Sequence, residues 1–147
     1  MAKLGDPTDF SYRVKEVTRI VDGDTIDVII DLGFDIMYKS RVRLFGIDTP
    51  ESRTSNKEEK VRGLLSKNFL KEHLKSHSKI IIKTHKGEET GKFGRILGEI
   101  FIDGININQK MCDEGYAVAY YGQNKQLVED AHAVNKQKLI AAGILKS

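Results

Sequence analysis

One cysteine, two prolines and no tryptophan occur among the 147 residues. With Cys112 as the only thiol, neither an intrachain disulfide nor a cysteine-built metal cluster can hold the fold together. In its setting, INQKMCDEG, that thiol reads as a small buried apolar side chain. No apolar run approaches the length that crosses a bilayer, so a membrane partner is not expected. The opening MAKLGDPTDFSYR has no apolar segment of the signal-peptide kind. The chain is therefore expected to be cytoplasmic or the mature form of a secreted protein. Repeats, low-complexity tracts and linkers are missing too, and the length suits one domain with a buried core.

What is present is a globular composition, 39% hydrophobic and 31% charged, with a net charge of +3. That charge is compatible with a polyanionic partner without requiring one. Nothing marks an oligomer interface, and a monomer is expected.

Residues 1–11 are polar and irregular and read as a flexible arm before a domain over 12–147. A first strand runs from Tyr12 to Val21 and meets the turn signal Asp22-Gly23. In TIDVIID, residues 25–31, Ile26, Val28 and Ile30 share one face of a second strand, with Ile29 breaking the alternation. A third strand covers roughly 36–45, and Pro50 ends it. A helix follows at about 58–76, its apolar stripe assigned to Val61, Leu64, Leu65, Phe69, Leu70 and Leu74. Strands at about 79–84 and 95–101 flank the Gly-rich loop HKGEETGKFG. A short helix near 106–113 stops at Gly115. The last helix, about 124–141, carries Leu127, Val128, Ala131, Val134, Leu139 and Ala142 largely on one side. Three strands, a helix, two strands and further helices predict an α+β fold, mainly β: a five-stranded OB-type barrel with three helices outside it.

Two acidic clusters lie at strand ends: Asp22 and Asp24 in VDGDT, and Asp48 and Glu51 in IDTPE. Each alone is explained by turn or helix-cap chemistry. Arginines change the reading. Arg41 and Arg43 project from one face of the third strand, and Arg95 opens the fifth. A guanidinium in a partly apolar strand is either one half of a barrel-mouth salt bridge or a fork aimed at a phosphate. Phosphodiester hydrolysis needs an activated water, charge relief on the phosphoryl oxygens and a stabilised leaving oxygen. A hard cation such as calcium takes oxygen ligands of the kind Asp24, Asp48 and a strand-end carbonyl supply. Glu51 is placed to orient or deprotonate water. The histidines His73, His77, His85 and His132 show no spacing that converges on these clusters, and surface or helix-end roles are expected for them.

Taken together, VDGDT at 21–25, RLFGIDTPE at 43–51, KFGR at 92–95 and NQKMCDEGYA at 108–117 make the chain resemble the staphylococcal nuclease family over nearly all of residues 12–145. The resemblance implies an OB barrel with three helices that cleaves DNA, single- or double-stranded, and RNA with little sequence preference, leaving 3′-phosphate ends. It further implies Ca2+ held by Asp24, Asp48 and the Thr49 carbonyl. By the same resemblance Asp22 tunes the metal site, Glu51 positions the attacking water, and Arg43 and Arg95 bind the scissile phosphate. Lys92, Phe93 and Tyr121 then fall at the bound nucleotide. Phe93 replaces a tyrosine of the best-known member, Gly91 an aspartate, and Leu145 lies near the place of a tryptophan. The hairpin between Asp24 and Arg43 is longer. A rival reading keeps the barrel but not the chemistry, as a module that binds nucleic acid or a protein without cutting. Retention of Asp24, Asp48, Arg43, Glu51 and Arg95 favours the enzyme.

Overall fold

The computed structural model describes residues 10–74, 79–85 and 96–146. Among these the strands are β1 (Ser11–Asp22), β2 (Thr25–Asp31), β3 (Met37–Leu44), β4 (Ile47–Asp48), β5 (Ile80–His85), β6 (Ile96–Ile102), β7 (Ile105–Asn106) and β8 (Val118–Ala119). The helices are α1 (Lys57–Leu74), α2 (Ile107–Asp113) and α3 (Lys125–Ala141). Ser11 is already paired with Lys83, so the strand begins one residue inside the arm expected over 1–11. Residues 1–9 of that arm lie outside the described residues.

β1 is long and bulged, its pairing with β2 shifting register at three places. Bulges bend a strand and increase its twist. β1 can therefore turn from β2 to β5, which pairs with its start. β2 pairs with β3 and β5 with β6, both antiparallel, and β6 returns to β3 in parallel through Val42↔Ile96 to Leu44↔Gly98. That last pairing closes a five-stranded barrel, as expected. Its interior is apolar, with Ile26, Val28, Ile30, Val42, Leu44, Ile82 and Ile100 almost wholly buried. Leu70 and Leu74 of α1 and Ile107 and Met111 of α2 extend this core. Cys112 packs at its edge, where burial pushes the thiol up to about 11 and keeps it protonated at neutral pH.

Both long helices are rotated relative to their expected apolar stripes. In α1 the buried positions are Gly63, Ser66, Leu70 and Leu74, while Val61 and Leu64 are exposed. The small residues face inward because the chain packs against them. A Cβ on Gly63 would lie 2.3 Å from the Glu51 carbonyl oxygen. In α3, Leu139 is buried, whereas Leu127 and Val134 are exposed. The inward side runs through Val128, His132, Asn135 and Leu139. Half of that face is polar, so apolar periodicity finds Val128 and Leu139 but misses His132 and Asn135.

Candidate active site

The Asp22–Thr25 turn joins β1 to β2 and packs closely on its neighbours. A Cβ on Gly23 would sit 2.7 Å from Ser66 Cβ and 3.0 Å from Thr49 Oγ1. Glycine is required here for close approach. Asp22 Oδ1 accepts from Gly23 N at 3.0 Å and from Ser52 N at 3.3 Å, so this carboxylate ties the turn to the loop carrying Glu51. Asp24 Oδ1 accepts from Thr25 Oγ1 at 3.0 Å, and Oδ2 from Thr49 N at 3.3 Å.

Arg43 stands across from Thr25 in the β2–β3 register. Its Nη1 donates to the carbonyls of Leu44 and Ile47, both at 3.0 Å. This ties the guanidinium to the backbone of the following turn. Nη2 lies 3.4 Å from Asp24 Oδ2 and 3.7 Å from Asp48 Oδ1. One guanidinium nitrogen thus faces oxygens from both carboxylates, near enough for attraction and too far for tight hydrogen bonds. Asp48 is carried by β4, which pairs with β8 through Asp48↔Val118.

Glu51 is exposed, and its carboxylate makes no hydrogen bond among the described residues. Its backbone is fixed instead. Glu51 N donates to Glu59 Oε2 at 3.1 Å, Ser52 N is held by Asp22, and Gly63 packs beneath the carbonyl. A free carboxylate on a pinned loop is the arrangement that work on a water molecule asks for.

The sequence-predicted residues Asp24, Asp48, Arg43, Thr49 and Glu51 therefore gather at one end of the barrel. Tyr121 lies at the cleft beside them, a space of about 590 Å³ lined by Arg43, Phe45, Leu97, Tyr120 and Tyr121 among others. The Phe45 ring in that wall is stacked on His85 at 3.9 Å between centroids. Lys92, Phe93 and Arg95 lie outside the described residues.

One expectation is corrected. His132, assigned a surface or helix-end role, meets the acidic cluster: its Nε2 is 2.8 Å from Asp48 Oδ2. The inward rotation of α3 brings it there, across a sequence separation that no local spacing reveals. His132 and Asn135, at helical spacing between the apolar Val128 and Leu139, are the signal that could have found it.

Among the described residues no group of three or more His, Cys, Asp or Glu side chains gathers as a metal site. The expected donors are two carboxylates and a backbone carbonyl, a hard all-oxygen set. Asp24 and Asp48 both face Arg43 Nη2, at 3.4 and 3.7 Å, and the donors they offer are of the kind calcium takes.

Comparison with known proteins supplies the family. Residues 41–141 match the family model described as staphylococcal nuclease homologue. The chain is 35% identical over 132 residues to the thermonuclease of Staphylococcus intermedius, covering 87% of this chain and 73% of that protein. It is 33% identical over 113 residues to endonuclease YncB of Bacillus subtilis, covering 76% and 51%. An uncharacterized protein of Bacillus anthracis is 36% identical over 106 residues, which is 72% of this chain and 47% of that relative. The chain thus spans about half the length of these two Bacillus relatives and most of the thermonuclease. With the barrel, the family match across most of the chain and a thermonuclease relative in hand, this chain belongs to the staphylococcal nuclease family.

Proposed function

We propose that the protein is a calcium-dependent nuclease that hydrolyses phosphodiester bonds in DNA and RNA with little sequence preference and leaves 3′-phosphate ends. The observation that carries this reading is the Arg43 guanidinium set between Asp24 and Asp48. It leaves two carboxylates facing one guanidinium that grips neither, beside a cleft open to solvent.

Asp24, Asp48 and the Thr49 carbonyl would hold the calcium ion. Bound there, the ion supplies neutralisation of the phosphoryl oxygens. Arg43, already fixed by two carbonyls, offers its remaining N–H groups to the same phosphate, and Arg95 takes the second guanidinium role. Glu51 orients a water and accepts its proton as the oxygen attacks phosphorus. The bond from phosphorus to the 5′ oxygen breaks, that oxygen takes a proton from solvent to leave as a hydroxyl, and the phosphate stays on the 3′ side. Lys92, Phe93 and Tyr121 flank the nucleotide, with Phe45 and Tyr120 completing the wall against which a base stacks.

The test is incubation with single-stranded DNA in calcium and then in excess chelator. Cleavage that requires calcium, and fragments that phosphatase converts to ligatable 3′-hydroxyl ends, are the expected results. Tight binding without cleavage at any calcium concentration would overturn the enzyme reading and leave a binding platform.

A further inference from the structure

A second group reaches the acidic pair from the far end of the chain. His132 Nε2 lies 2.8 Å from Asp48 Oδ2, across 84 residues of sequence. A carboxylate has no hydrogen to give, so the ring nitrogen is the donor. The imidazole is well enclosed, with 15% of its side chain exposed. The other oxygen, Oδ1, faces Arg43 Nη2. The two oxygens of Asp48 thus have different surroundings: one is engaged by α3, and the other faces the Arg43 nitrogen that also stands 3.4 Å from Asp24.

From this division we infer that His132 is a positioning residue that holds Asp48 as a one-oxygen metal ligand, with Oδ2 tied to the ring and Oδ1 presented to the cation. The inference rests on the calcium-dependent reading above. A carboxylate free to turn about its Cβ–Cγ bond can take a hard cation through one oxygen or both. A donor fixed on Oδ2 removes the second mode and sets the plane of the group. Groups that orient a ligand in this way commonly matter about 10- to 100-fold in metal affinity.

The donor can do this because its helix is anchored to the strand pair that carries Asp48. Asn135 Nδ2, on the same face of α3, donates to the Ala117 carbonyl at 2.9 Å. The next residue, Val118, is the β8 partner of Asp48. The Asn124 side chain caps the helix start by accepting from Leu127 N at 2.9 Å. Helix, strand pair and ligand therefore form one unit, and the ring cannot drift from the oxygen it holds.

Calorimetric titration of metal-free protein with calcium chloride tests this, alongside thermal unfolding without metal. His132→Leu and His132→Asn, which lack a donor or fall short with it, are expected to bind calcium at least about tenfold more weakly than wild type. His132→Gln, whose longer amide still offers an N–H, should recover most of the affinity. Metal-free unfolding temperatures should stay within a few degrees of one another, apart from any loss in the leucine variant. Wild-type affinity in His132→Asn would overturn the positioning role, even if the leucine variant failed to fold. Equal weakening in the asparagine and glutamine variants would overturn it also, since packing and not the hydrogen bond would then be responsible. A wild-type protein that takes up no calcium would instead overturn the metal-dependent reading itself, and this inference with it.

Discussion

Two arginines two residues apart on β3 each face aspartate, and the two arrangements differ in how fully each charge is satisfied. Arg41 grips Asp27 with both arms of its fork, at 2.8 and 3.2 Å. Its guanidinium beside Asp27 holds that carboxyl below the usual range, and the carboxylate in turn raises Arg41. The pair is closed and exposed. Arg43 gives its nearest hydrogen bonds to two backbone carbonyls and stands 3.4 and 3.7 Å from two carboxylates. That arrangement is open: one guanidinium, fixed by backbone, faces two carboxylates without gripping either. Each carboxylate has another side-chain partner, Thr25 for Asp24 and His132 for Asp48. The residue types match in the two places, so the capacity for chemistry lies in what the second set leaves unmade.

The sharpest way to break this contrast is to remove each guanidinium in turn. Arg43→Ala is expected to lower initial cleavage rates on single-stranded DNA by about 100-fold or more, as loss of a group that stabilises developing charge does. Arg41→Ala should leave those rates within about twofold. Equal losses would show that both pairs serve the same general electrostatic purpose. Next in size, Glu51→Gln keeps the side-chain shape and should slow cleavage by about 100-fold through the lost proton acceptor. The same rate assay across pH reads it, and an unchanged rate would remove Glu51 from the proposed mechanism.

A smaller effect sharpens the role of the scaffold. Gly63→Ala sets a Cβ against the Glu51 carbonyl. It is expected to cost about 1–3 kcal/mol in denaturant-measured stability and to slow cleavage as the loop is displaced. The smallest effect belongs to the closed pair. Asp27 titrates lower in the folded state than its usual value, so the pair's stabilisation is fully present above about pH 4 and is lost as pH falls through the lowered value. Wild type should therefore exceed Arg41→Ala by less than about 1 kcal/mol at neutral pH, as exposed pairs do. The two unfolding curves should converge in acid.

Much of the architecture was legible because strand alternation and turn residues are local signals. TIDVIID predicted β2 to the residue, and Asp22-Gly23 predicted the turn that carries Asp24. The gathering of Asp24, Asp48 and Arg43 was legible only through the joint resemblance, since each cluster alone reads as a turn or cap. What was lost is what local patterns do not encode. The pairings β4–β8 and β6–β7 involve two-residue strands, too short for any periodicity. The helix faces were rotated because Gly63, Ser66, His132 and Asn135 point inward, where packing and polar contacts prevail over hydrophobicity. His132 was lost for that reason, and with it the contact to Asp48.

The short β4–β8 ladder has a consequence for the life of the chain on the ribosome. Asp24, Arg43 and Asp48 are synthesised early, yet Asp48 takes its strand partner from residue 118 and its imidazole from residue 132. A nascent chain that ends before these residues carries the acidic pair without the clasp that orders it. Ordering of Asp48 by the ring thus waits until α3 has been made, and a chain truncated before α3 lacks that contact.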